Sequence, residues 1–250
     1  MKKQLLTLLT LAVILTSCSK KESEPKYSLD KATLELNYDK EHQFVIKQGT
    51  KDIDESEFEW TSTDETVGEV SASGLFQAHK IGETTIKAAG PKGTLTSVVK
   101  ITPYSTLCAE PYVKFGASLS LVKSKETRTL LKEDTNALYY KGENAKIINV
   151  LYGFTDNSLG AIFLIFPNSE AVIKEAAKFF DERYTYLGED DEDNYYFSDT
   201  KTVIQIGYLE EIQAFTAIYY EAEEGETANI QVAKSAIQKS KAVLQSLKKR

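Results

Sequence analysis

Trp60-Thr61-Ser62-Thr63-Asp64 and, further along, Gly82-Glu83-Thr84-Thr85-Ile86-Lys87-Ala88 decide how the first third of this 250-residue chain folds. In Phe58-Glu59-Trp60 and in Thr85-Ile86-Lys87-Ala88 apolar and polar side chains alternate. That period of two places one set inward and the other in water, the pattern of a half-buried β-strand. Trp60, the only tryptophan, belongs at the centre of such a core. Asp64 suits a turn closing its strand, and Gly74 and Gly82 permit tight hairpins.

Outward from this core the same texture runs from Tyr27 to about Pro103. Strands are expected at Thr33–Asn37, His42–Lys47, Phe58–Ser62, Gly68–Ser71, Leu75–Ala78, Thr84–Ala89 and Leu95–Thr102, the spacing of an all-β sandwich. Trp60 to Asp64, Val67, Val70-Ser71, Gly74-Leu75 and Gly82 to Ala88 together resemble the bacterial Ig-like group 2 domain. The family pattern is W-x-S-x-D, V-x-x-V, G-L and G-x-x-x-I-x-A. Its usual small residue and polar residue or threonine are replaced by Gly68-Glu69. The resemblance spans residues 27–103 and implies an Ig-like sandwich acting as a stalk, although some members of the family are adhesive.

Beyond a short linker at Thr102-Pro103-Tyr104-Ser105, residues 104–250 read as an α+β domain with an antiparallel sheet and helices on one face. Helices are expected near Ser118–Glu126, Ser169–Tyr184 and Ala228–Lys248, the last carrying Ile230, Ala233, Ile237, Leu244 and Leu247 on one stripe. Ser169-Glu170 fits an N-cap with an acidic first turn. Strands are expected at Ala137–Lys141, Lys146–Tyr152, Ala161–Pro167, Asn194–Ser198, Thr202–Tyr208 and Ala214–Glu221. Tyr139-Tyr140, 147–152 and 161–166 are echoed by Tyr195-Tyr196, 203–208 and 215–220, which suggests a helix–strand–strand–strand unit used twice. In pattern the unit is similar to the tandem repeats of β-lactamase inhibitor proteins. Two such units side by side would leave one face of the sheet open.

Tyr139, Tyr140, Tyr152, Tyr195, Tyr196, Tyr208, Tyr219 and Tyr220 supply the candidate binding residues. Adjacent strand residues point to opposite faces, so each Tyr-Tyr pair sends one ring outward. Tyrosine is suited to protein or glycan interfaces; the alternative is that these rings pack on helices or on each other. The acidic run Glu189 to Asn194 offers oxygen ligands for calcium, but it lacks EF-hand spacing and reads first as a solvated loop between two elements. The two histidines, His42 and His79, lie in the sandwich, and no nucleophile elbow, phosphate loop or dinucleotide fingerprint occurs. No catalytic residue, metal or cofactor is expected, and only paired-carboxylate glycan chemistry stays open as an enzyme reading.

At the N-terminus, Lys2-Lys3 precede the apolar run Leu5 to Leu15 and then Leu15-Thr16-Ser17-Cys18. A dozen helical residues rise only ~18 Å, too short for the ~30 Å hydrocarbon core, so residues 1–17 read as a signal peptide. The last four residues resemble the lipobox of bacterial lipoproteins. That resemblance implies a diacylglyceryl group on Cys18, which becomes the first residue after cleavage; ordinary secretion with a chance cysteine is the alternative. Residues 18–26 form a charged tether, and such tracts mark surface-exposed lipoproteins in some Gram-negative lineages.

With Cys18 acylated, Cys108 has no disulfide partner and reads as a small buried hydrophobe. Loss of the signal removes two lysines and no acids, taking the net charge from −7 to −9 and disfavouring nucleic acid as a partner. The expectation is a lipoprotein of the cell envelope, anchored to the outer membrane and displayed at the surface or facing the periplasm. Its C-terminal domain would bind a protein or glycan; an inhibitor or accessory subunit of an envelope protein is the alternative.

Overall fold

The computed structural model describes residues 26–210 and 212–222. The signal peptide, Cys18, most of the tether and the expected helix over Ala228–Lys248 lie outside the described residues.

Ten short strands build the N-terminal part: β1 (Tyr27–Leu29), β2 (Thr33–Asn37), β3 (Glu41–Gln43), β4 (Ile46–Gln48), β5 (Lys51–Ile53), β6 (Glu59–Ser62), β7 (Gly68–Val70), β8 (Leu75–Ala78), β9 (Gly82–Gly90) and β10 (Gly93–Thr102). They form a four-stranded sheet β2-β10-β9-β6 and two three-stranded sheets, β3-β8-β7 and β1-β4-β5. Their inward residues, among them Phe44, Trp60, Phe76, Ile86 and Val99, make one core. The Trp60 ring lies against Phe44, and its indole N–H donates to the Glu55 carbonyl. Gly74 has φ +78°, and a Cβ there would sit 2.9 Å from the Trp60 ring, so this turn needs glycine twice over. Asp64 closes its turn by accepting from the backbone and hydroxyl of Thr66.

The single strand expected over His42–Lys47 is two, β3 and β4, in different sheets. The chain changes sheet at Phe44-Val45, where Asp30 holds it: the Val45 N–H donates to the Asp30 carboxylate and the Asp30 N–H to the Val45 carbonyl.

The C-terminal part contains α1 (Leu119–Lys125), β11 (Leu130–Asp134), β12 (Ala137–Lys141), β13 (Asn149–Thr155), β14 (Ser158–Phe166), α2 (Glu170–Asp181), β15 (Thr185–Glu189), β16 (Tyr195–Ser198), β17 (Thr202–Leu209) and β18 (Ala214–Glu221). The eight strands form one antiparallel sheet in the order β11-β12-β13-β14-β18-β17-β16-β15. A helix followed by four strands therefore occurs twice, and the two runs meet at β14 and β18, where Phe166 faces Phe215. The unit read from the sequence has three strands because β11 and β15, the polar outermost strands, carry no apolar run. Both are bulged, between Leu130 and Lys132 and between Tyr186 and Gly188, which blunts the two open edges of the sheet.

Both helices contribute to one face. Val122 of α1 and Ala176, Phe179 and Phe180 of α2 enter a core with Leu138, Val150, Ile162, Leu164, Phe197, Ile204 and Tyr219. Ser118 caps α1 by accepting from the Leu121 N–H, whereas the Ser169 side chain, expected to cap α2, makes no such bond. The irregular segment 106–117 adds to the cover of this face, inserting Leu107 and Ala117. It is pinned at intervals by side chains of the sheet unit. Asn144 donates to the Leu107 carbonyl, Glu143 accepts from the Ala109 N–H, and Tyr152 Oη accepts from the Tyr112 N–H. Arg128 donates to Glu126, Glu143 and the Ala109 carbonyl, a buried cation with its charge and hydrogen bonds satisfied.

Between sandwich and sheet stands Glu182, the C-cap of α2, whose side chain is 0% exposed. Its carboxylate accepts from the N–H groups of Tyr104 (2.9 Å) and Ser105 (3.1 Å) in the linker, and Arg183 lies 3.4 Å away. Its carbonyl accepts from the Ile81 N–H of the sandwich, and the neighbouring Asp181 carbonyl accepts from Lys80 Nζ at 2.7 Å. Tyr38 donates to the Asp181 carboxylate, and the Tyr104 ring is gripped between Tyr38 and the Lys178 ammonium. Replacing Glu182 by alanine orphans two linker N–H groups and the adjoining charge. Urea unfolding of Glu182→Ala is expected to show a loss of about 3 kcal/mol, with Glu182→Gln retaining part of it. An unchanged midpoint would show that the clamp contributes nothing.

Candidate functional site

The sheet distributes the eight candidate tyrosines by the two-residue period of a strand, but it does not leave a face open for them. Tyr140, Tyr152 and Tyr219 point into the helix-side core, where Tyr140 and Tyr152 meet edge to face and Tyr219 packs on Phe180 and Tyr184. Tyr196 and Tyr220 point to the second face and are also buried there, alongside Ala137, Leu151, Phe163, Val203 and Ile218. Tyr139 is half-buried on that face, with the Lys132 ammonium over its ring. The expectation of an open second face is thus overturned, and the sequence contains the reason. Ala161-Ile162-Phe163-Leu164-Ile165-Phe166 is apolar at every position, and a strand apolar on both sides has both sides covered.

The echo of Tyr139-Tyr140 in Tyr195-Tyr196 is also out of phase. Tyr140 faces the helices in the first pair but Tyr195 does so in the second, since Tyr195 lies opposite Ile206 of the helix-side core. An offset of one residue exchanges the faces of a strand.

Tyr195 and Tyr208 remain exposed, at 39% and 50%, and Tyr186, absent from the sequence reading, joins them at 47%. The register places the three on adjacent strands of the helix-bearing face. Tyr186 lies opposite Phe197, with which it makes a ring contact; Tyr195 lies two residues from Phe197 and opposite Ile206; Tyr208 lies two residues from Ile206 and opposite Phe215. Each tyrosine is therefore the diagonal neighbour of the next, in steps of about 8 Å. The result is a row across β15, β16 and β17, backed by Phe197, Ile206 and Phe215 of the core. Glu189 lies opposite Tyr195, and desolvation, followed by the Glu189 charge, raises the Tyr186 hydroxyl above its ordinary value. Tyr186 was missed because its strand, Thr185–Glu189, is short, contains Gly188 and follows no simple alternation.

The acidic run beside the row is organised by its own first turn. Asp190 accepts from the N–H groups of Glu192 and Asn194, from the Asn194 carboxamide and from Tyr196 Oη at 2.6 Å. Asn194 in turn packs on Gly207, where a Cβ would collide with its carboxamide. Among the described residues no group of three or more His, Cys, Asp or Glu side chains is placed to hold a metal ion. Cys108 is held by burial with its thiol pushed up to about 12, the reverse of an activated nucleophile. His42 pairs with Asp30 and His79 lies beside Glu69, both within the sandwich.

Burial opposes the charge on Asp190, but the hydrogen bonds from Tyr196, Asn194 and Glu192 outweigh it and hold the carboxyl below the usual range. A carboxyl depressed on folding stabilises above its unfolded value of about 3.9 and loses that contribution as the pH falls further. Asp190→Asn is expected to lower stability at pH 7 by about 1–2 kcal/mol and to reduce the loss on acidification from about pH 4 to pH 2. Equal acid sensitivity of the two proteins in thermal unfolding would contradict this.

Among the described residues no helix is long and apolar enough to cross a membrane. No curated protein matches the chain. Residues 25–101 match the family model of the bacterial Ig-like domain (group 2), and the N-terminal sandwich is thereby a domain of that group.

Proposed function

We propose that this chain is an extracytoplasmic lipoprotein, held to the outer membrane by lipid on Cys18, that works by binding a protein or glycan. In this reading the Ig-like sandwich is a stalk and the C-terminal part, an α+β unit with α1 and α2 on one face, is the binder. The observation that carries the reading is the row Tyr186-Tyr195-Tyr208, three exposed rings on adjacent strands over a rigid core. Isolated exposed aromatics are ordinary, whereas a contiguous row is a preformed contact surface with little side-chain entropy to lose. The clamp at Glu182 supports the stalk role, since it ties the binder to the sandwich. A second reading, an inhibitor or accessory subunit of an envelope protein, draws on the two-run layout of the sheet and uses the same surface.

Two measurements test the proposal. Cys18→Ala is expected to move the protein from membrane to soluble fractions of fractionated cells; retention in the membrane would remove the lipid anchor from the reading. The chain and its Tyr186→Ser/Tyr195→Ser/Tyr208→Ser variant are to be compared on glycan arrays and in pull-downs of envelope proteins. Ligands held by the former are expected to bind at least about tenfold more weakly to the latter. Ligands kept by the variant would refute the row as the binding surface.

A further inference from the structure

We infer that the tyrosine row takes a basic, extended polypeptide segment, a choice between ligand classes that rests on the binding role proposed above. The first argument is charge. Between Tyr184 and Ala233 the only basic residue is Lys201, and it lies in the turn before β17, at the far end of that strand from Tyr208. Glu189 stands opposite Tyr195 on the same face as the row, and exposed Asp191, Glu192 and Asp193 follow it in the loop leading to β16. Exposed Glu210 follows β17 at the same end of the sheet. Asp190 alone of this group is occupied by its own hydrogen bonds. The rings therefore sit in a field of carboxylates, which attracts cations and repels acidic ligands. Tyrosine faces also bind ammonium and guanidinium groups directly.

The second argument is spacing. Steps of about 8 Å between tyrosines are close to the ~7 Å between alternate side chains of an extended peptide, so arginine or lysine at every second position meets successive rings. The third is the edge beside the row. The β15 bulge between Tyr186 and Gly188 interrupts regular ladder pairing, which disfavours addition of the segment as a ninth strand and favours its lying across the face.

The test is calorimetric titration of the full mature chain with a heptapeptide of alternating arginine and glycine, its arginines replaced by glutamate in a control, and with cellohexaose as a neutral glycan. The arginine peptide alone is expected to bind at 50 mM salt, and about tenfold more weakly at 300 mM. The triple Tyr→Ser variant is expected to lose at least about tenfold in affinity. The same loss is expected for Glu189→Gln/Asp191→Asn/Glu192→Gln/Glu210→Gln, whose changes are confined to exposed side chains and which decides the matter if the tyrosine variant does not fold. Full-strength binding to either folded variant, or no binding of the arginine peptide, overturns the inference. If cellohexaose binds instead and is lost with the tyrosines, the basic-segment inference falls while the binding surface stands.

Discussion

A single carboxylate organises the centre of this molecule. Glu182 is wholly buried at the C-terminus of α2, and it caps the linker backbone at Tyr104 and Ser105 while its own carbonyl receives Ile81 from the sandwich. Linker N–H groups taken out of water need an acceptor, and a carboxylate supplies two oxygens where a carbonyl supplies one. Arg183 beside it supplies countercharge. The helix that bears this group also carries Phe179 and Phe180 into the sheet core. Sandwich, linker and sheet are thus joined through one helix end. Tethered domains usually move against each other; here the last two linker residues, Tyr104 and Ser105, are bonded into the clamp.

The same segment helps α1 and α2 to cover the helix-side face of the sheet. Residues 106–117 add cover, and their attachments are spread over the sheet unit: Asn144 and Glu143 after β12, Tyr152 from β13, Leu159 from β14. An irregular segment survives over a core only if its polar backbone is paired, and here side chains of the sheet unit and the backbone of Leu159 perform much of the pairing that a helix performs internally. Arg128, held between Glu126 and Glu143, is the keystone of that arrangement.

The legibility of the fold follows from the same physics. The Ig-like sandwich was readable because its period-two alternation, its glycine turns and Trp60 all agree. In the sheet, strands rich in apolar residues were found near their places, while β11 and β15 were not, since edge strands carry the polar and bulged residues that resist pairing with other chains. The second face was misjudged although Ala161 to Phe166 already argued against an open side. Glu182 could not have been foreseen: one acidic residue at a helix end looks like many others until the linker returns to it.

The tyrosines show why composition alone does not locate a surface. Eight rings looked equivalent in sequence, but most are covered whichever way they point, as Tyr140 on the helix side and Tyr196 and Tyr220 on the other are. Towards the β15 edge helix-side positions meet water. Tyr186, Tyr195 and Tyr208 occupy that margin, and the bulge in β15 that protects the edge from strand addition also belongs to the turn of chain that presents Tyr186. The device that keeps the sheet from pairing with other sheets and the surface offered to a ligand are one local feature of the backbone. A change that straightened β15 would alter both together.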